Sequence, residues 1–243
     1  MIFRFRSLAG RGVVIGLTLT LGMASAAHGA TFDAFADFSA TLNPNGVWSY
    51  GQLTGASGGI FSPLKAGSCG PLTGWNNTGT ADPSGSPPFI FKGTGTCGTG
   101  TPPSGQLDLH PGPSGVFPDV RWTSPSAGTV AFSGLFQGID PVGPTTSEGI
   151  VLLNNTAFLF DQLINTFGVP VSFSFSLPVA AGTTLDFIVG IGPDASNAFD
   201  STGFNAHISF QPPVGVPDSG SLVLLGSGLL GLAGFTWRRH RRK

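Results

Sequence analysis

Few side chains in this 243-residue chain are of types that carry out reactions, and their spacing narrows the chemistry further. Gly55-Ala56-Ser57-Gly58-Gly59 fits the G-x-S-x-G nucleophile elbow of serine hydrolases. That chemistry needs the serine on a sharp strand-to-helix turn, with a histidine and an acid arriving later. Ile60-Phe61-Ser62-Pro63 follows and reads as strand or loop, so a chance match in a chain with 38 glycines is the better account. Gly93-Thr94-Gly95-Thr96-Cys97-Gly98 fits G-x-G-x-x-G, but Thr99-Gly100-Thr101-Pro102-Pro103 cannot open the helix that a dinucleotide site requires. A glycosidase pair would have to use Glu148, the one glutamate, with Asp108, Asp119 or Asp140. Ordinary surface and turn positions explain these acids, and His110 and His207 lack ligand-type spacing. No catalytic residue is assigned, and the chain reads as a non-enzyme.

The binding candidates are aromatic and oxygen-rich. Trp48, Tyr50, Trp75 and Trp122 offer ring faces of the kind that stack on a pyranose. Trp48 and Trp122 fall on expected strands, where a core uses tryptophan as well. Trp75 stands among Gly74, Asn76 and Asn77, a loop-like setting that predicts exposure, so Trp75, Tyr50 and Trp48 form the candidate glycan site. Asp194, Asn197 and Asp200 recur every three residues in GPDASNAFDSTG. A structural calcium, bound by loop oxygens, and simple turn formation both account for them, and no other cofactor is expected. Cys69 and Cys97 are the only cysteines, and an exported chain meets an oxidising compartment, so a disulfide between them is expected.

These residues need a scaffold, and its period is two. Val171, Phe173, Phe175 and Leu177 alternate with serines, and Phe204, Ala206, Ile208 and Phe210 repeat the pattern, as do Leu185-Phe187-Val189 and Val130-Phe132. Such segments are strands with one face to a core and one to water. Further strands are expected at 46–50, 89–92, 116–123, 150–153 and 158–160. Turns such as Pro44-Asn45-Gly46 and Asn154-Asn155 between them predict an all-β fold, an antiparallel β-sandwich of jelly-roll type. Residues 62–105, rich in Gly, Pro, Ser and Thr, read as a long loop crossed by one strand and fastened by the disulfide.

The two ends differ from this body. Arg4, Arg6 and Arg11 precede the apolar run 13–23 and the small residues Ala24-Ser25-Ala26-Ala27, the anatomy of a secretory signal peptide over 1–30. At the other end, the apolar stretch Leu222 to Trp237 would reach about 24 Å as a helix and stops at Arg238-Arg239-His240-Arg241-Arg242-Lys243. The basic cluster would stay cytoplasmic. Just ahead of the helix stand Val216, Pro217, Asp218, Ser219 and Gly220. Motif, glycine-interrupted hydrophobic segment and arginine cluster, in that order over residues 216–243, resemble the VPDSG-CTERM signal, a variant of the PEP-CTERM sorting signals of Gram-negative bacteria. The resemblance implies recognition by an exosortase, which cleaves near the motif and passes the body to the cell surface. In that family many substrates come from bacteria that make extracellular polysaccharide.

The expected organisation is therefore a signal peptide (1–30), one β-sandwich domain (31–215) and a sorting signal with a short transmembrane helix (216–243). Between the ends, eleven acidic residues face three basic ones (Lys65, Lys92, Arg121), a net charge of −8 that gives nucleic acid nothing to hold. The stretches 43–51, 120–134, 180–192 and 200–204 resemble a recurrent module of secreted bacterial proteins, which implies a sandwich of the kind used in carbohydrate-binding modules. The expected partners are signal peptidase and exosortase during processing, the membrane transiently through 222–237, and extracellular polysaccharide afterwards, at the cell surface or in the matrix. The alternatives are a structural or protein-interaction module and a glycan-acting enzyme.

Overall fold

The computed structural model describes residues 29–213 apart from Pro83 and Pro144. The expected signal peptide, the Val216–Gly220 motif and the C-terminal helix lie outside the described residues, which contain no helix long and apolar enough to cross a membrane.

Fourteen strands make up the body: β1 (Ala30–Asp33), β2 (Trp48–Thr54), β3 (Ser62–Pro63), β4 (Lys65–Cys69), β5 (Leu72–Asn76), β6 (Phe89–Lys92), β7 (Leu107–His110), β8 (Val116–Thr123), β9 (Gly128–Gly138), β10 (Ser147–Leu153), β11 (Ala157–Ile164), β12 (Pro170–Val179), β13 (Thr184–Gly190) and β14 (Thr202–Gln211). They form two antiparallel sheets. The first runs β12-β9-β14-β7-β6-β5-β4, with β1 also on β14, and the second runs β11-β10-β13-β8-β2-β3. The paired cores β12-β9-β14-β7 and β11-β10-β13-β8 are the two four-stranded sheets of a jelly roll. The chain crosses between them at β7–β8, β8–β9, β9–β10, β11–β12, β12–β13 and β13–β14. The sandwich and its jelly-roll order are thus as the alternating patterns predict.

Alternation also decides what the sheets bury. Phe132, Phe136, Phe173, Phe204, Ile208 and Phe210 point inward from the first sheet, against Trp48, Tyr50, Val120, Trp122, Leu185 and Phe187 of the second. Phenylalanines dominate the contact: Phe204 meets both Phe136 and Phe187 at 5.2 Å between ring centres. Each such ring removes a large apolar area from water, and this burial drives the two sheets together.

The stretch 62–105 departs from the expected loop. Four strands, β3 to β6, occupy it, and β6-β5-β4 extend the first sheet past β7. Their apolar residues are too few to show a period, yet Leu72, Phe89 and Phe91 close a small cluster with the Cys69–Cys97 disulfide on the side away from the main core. The disulfide itself is as expected.

Candidate functional site

On the first sheet, the residues between the buried phenylalanines face outward, and the strand register sets them in rows. Ser174 lies opposite Ser133, Ser133 opposite His207, and His207 opposite Asp33, across β12, β9, β14 and β1. The next row holds Ser176, Ala131, Ser209 and Thr31. Neighbouring strands stand about 4.8 Å apart, so each row spans about 14 Å. Because these side chains are small, the face is hollow. It forms an open groove of about 570 Å³, with Phe32, Phe132 and Phe175 contributing to its lining.

Charge is placed at one side of the groove. Nδ1 of His207 stands 2.8 Å from Asp33 Oδ2. Asp33 Oδ1 accepts from the amides of Phe35 and Ala36, which curls the chain after β1. Asp37 is brought back over the groove, where its Oδ2 accepts from the Asp33 amide at 2.9 Å and from Trp48 Nε1 at 3.2 Å. Hydroxyls, a carboxylate–imidazole pair and a second carboxylate therefore line a surface with no lysine or arginine. Such a surface donates to and accepts from hydroxyl groups and repels polyanions.

The aromatic candidates lie elsewhere. Trp48, Tyr50 and Trp75 are 1%, 0% and 6% exposed. Trp75 is on β5 rather than on an open loop. Its ring stacks on Tyr50 at 6.1 Å and 9°, and its Nε1 donates to the Ser39 carbonyl at 2.8 Å. Burial pushes the Tyr50 hydroxyl up to about 12, as expected for a phenol that must stay neutral. The expectation of an exposed Trp75 is corrected: all three rings are core, and none presents a face to a sugar.

The calcium candidates are partly brought together. Asp194 and Asp200 both accept from the Thr146 hydroxyl, at 2.8 and 3.3 Å, whereas the Asn197 amide donates to the Pro111 carbonyl. Among the described residues, no three His, Cys, Asp or Glu side chains stand where they could hold a metal ion. Of the reaction-type motifs, Gly55–Gly59 lies between β2 and β3 and Gly93–Gly98 leads into the disulfide, neither opening a helix. Glu148 neighbours Asp161 and is raised by partial burial and by that charge.

Sequence reasoning missed Asp33, Asp37 and His207 as a group, because only the pairing of β1 with β14 joins them. The serines of VSFSFSL were visible as an outward face, without anything to mark that face as a groove.

No protein-family model and no characterised protein matches the chain in sequence. Solved structures resemble parts of it. A structure of the second family 51 carbohydrate-binding module of Clostridium perfringens ZmpB in complex with GlcNAc, together with INT domains, superposes over 44% of this chain and 22% of that one, with TM-score 0.32 and 12% identity. The sugar-binding C-terminal domain of EclA is covered to 64% of its length, at TM-score 0.29 and 10% identity over 37% of this chain. Pika GITRL aligns over 39% of this chain and 74% of its own, at TM-score 0.26 and 17% identity. The chain thus spans less than two thirds of the first two, and overlaps this partial identify no residue correspondence.

Proposed function

We propose that the chain is an exported, exosortase-sorted protein of the cell surface or matrix whose sandwich holds extracellular polysaccharide along the groove of the first sheet. The observation that carries this reading is the double row of small polar side chains beside the Asp33–His207 pair. An extended glycan presents alternating hydroxyls and C–H faces, and a groove about 14 Å wide offers hydrogen bonds at the strand spacing without having to reorganise. The net charge of −8 on the body between the two ends favours uncharged chains over uronate polymers.

The signal peptide, the Val216–Gly220 motif and the basic tail support the export and sorting half of the reading. Signal peptidase and exosortase are its processing partners, and residues 222–237 its transient membrane contact. Calcium has no step in it.

Affinity electrophoresis of the mature protein through gels containing neutral polysaccharides tests the groove. Ser133→Ala combined with His207→Ala should reduce retardation by about thirtyfold in apparent affinity, two hydrogen bonds being worth about 1 kcal/mol each. Both positions are exposed, so the melting temperature should hardly change. Retardation that survives the double change would move the glycan site elsewhere, and a protein that no neutral polysaccharide retards would favour the structural-module alternative.

A further inference from the structure

A second recess lies on the same side of the first sheet but over β6 and β7. In the register of these strands Phe89 faces His110 and Phe91 faces Asp108. All four project away from the main core, and the disulfide turn together with the loops after β9 and before β14 roofs them over. What remains between is a pocket of about 220 Å³, lined by Phe89, Thr99, His110, Asp140, Phe199 and Ser201 among others. It is smaller than the roughly 300–1,000 Å³ that drug-sized ligands occupy.

Its groups have complementary chemistry. His110 Nδ1 is 2.8 Å from the Pro111 carbonyl, which assigns the ring proton to Nδ1 and leaves Nε2 as an acceptor. Burial lowers the pKa of this histidine and so favours that neutral form. Asp140 accepts from the Thr99 hydroxyl at 2.6 Å and from the Val142 amide at 3.1 Å, and it contributes carboxylate oxygen to the wall. Ser201 adds a hydroxyl, and Phe89, packed 5.2 Å from the His110 ring, an apolar floor. No lysine or arginine lines the pocket.

Phe199 makes the pocket more than a packing gap. Its backbone sits at φ +66°, which a bulky residue adopts only when its surroundings hold it there, and its side chain remains 39% exposed at the pocket. Gly143 lies directly beneath: a Cβ at that position would come within 2.3 Å of the ring. Behind the wall, Asp108 is fully buried with both carboxyl oxygens lacking a hydrogen-bond partner. A protein that strains its backbone to hold a partly exposed aromatic ring at a pocket bears a cost that a bound molecule would offset.

We propose that this pocket is a second ligand site, which takes one uncharged sugar ring such as the terminal residue of a glycan. Ring hydroxyls donate to Asp140 and to Nε2 of His110, and the C–H face lies on Phe199. The size admits one ring, and the lack of lysine and arginine in the lining leaves a phosphate or uronate uncompensated. The site shares no residue with the groove, so it stands or falls separately from the polysaccharide reading.

Saturation-transfer NMR and calorimetry on the mature protein, with the methyl glycosides of glucose, galactose, mannose and N-acetylglucosamine as probes, test this. At least one glycoside should bind. Phe199→Ala should weaken it about two- to tenfold, and Gly143→Ala should do the same by displacing the ring. Both test positions are outside the core, so circular dichroism should report an intact fold. The proposal is overturned if none of the four glycosides binds at about 50 mM, or if binding persists in both Phe199→Ala and Gly143→Ala.

Discussion

Trp75 shows how one residue is decided by its neighbours in space. Gly74 reads as loop chemistry, yet it serves close packing: a Cβ there would stand 2.3 Å from the Ile90 carbonyl of β6. Asn76 likewise reads as a turn residue and is one, with its side chain bonded to the Gly79 amide and the Thr80 carbonyl, but the turn it builds follows a strand. Trp75→Ala should therefore cost about 3–5 kcal/mol, the usual loss for a buried aromatic, and thermal unfolding should show it directly. Asp108 carries a different prediction. Burial first, and then the charge of Asp140, push its pKa up to about 8, and the Ser201 hydroxyl moderates the shift without reaching hydrogen-bonding geometry. A folded-state pKa above the unfolded one means that the folded protein holds the extra proton, so this group's contribution falls as pH rises towards 8, by about 1.4 kcal/mol per pH unit. Asp200, raised to about 7 chiefly by burial, acts in the same direction. His110 opposes them only below its ordinary value of 6.5. Melting temperature should decline between pH 6.5 and 8, and Asp108→Asn should flatten the decline.

At the scale of elements, legibility followed apolar content. In β12 and β13 large apolar residues recur at every second position, and in β9 and β14 only Gly134 and Ala206 interrupt them, so the alternation alone marks strand and inner face. In β4 and β5, LysAlaGlySerCys and LeuThrGlyTrpAsn offer two or three apolar groups each, and they become strands because β6 gives them an edge to pair with. That ribbon depends on its fastener. Closing 28 residues with Cys69–Cys97 should be worth about 3–4 kcal/mol by loop closure. Chemical unfolding of the paired Cys69→Ser and Cys97→Ser variant, beside the oxidised protein, measures it. The second sheet has its own dependency on its outer face. Arg121 bonds Asp186, lies 3.5 Å from Asp119 and rests under the Phe61 ring. Alternation along β8 puts Asp119 and Arg121 on one face, but only the pairing of β8 with β13 brings Asp186 to them. Burial and the neighbouring Asp186 hold Asp119 toward its protonated form, so Arg121→Ala would leave the buried pair with one charge and no cation, and a loss of about 3–5 kcal/mol is expected in the same unfolding assay.

For the whole molecule, the export reading predicts a mature chain that lacks both ends. Intact mass from an exosortase-bearing host decides it, a main product still carrying 222–243 being the contrary result. The body adds a constraint of timing. β14, the last strand among the described residues, is flanked by β9 on one side and by β7 and β1 on the other, so the first sheet has its middle made last. A chain that emerges amino end first has nothing to close that sheet on until Gln211 is free of whatever conducts it. Up to that moment β1 has no strand to pair with, and β7 and β9 each lack the neighbour on the side of the gap. A chain stopped before Thr202 should accordingly remain protease-sensitive however long it is left to fold.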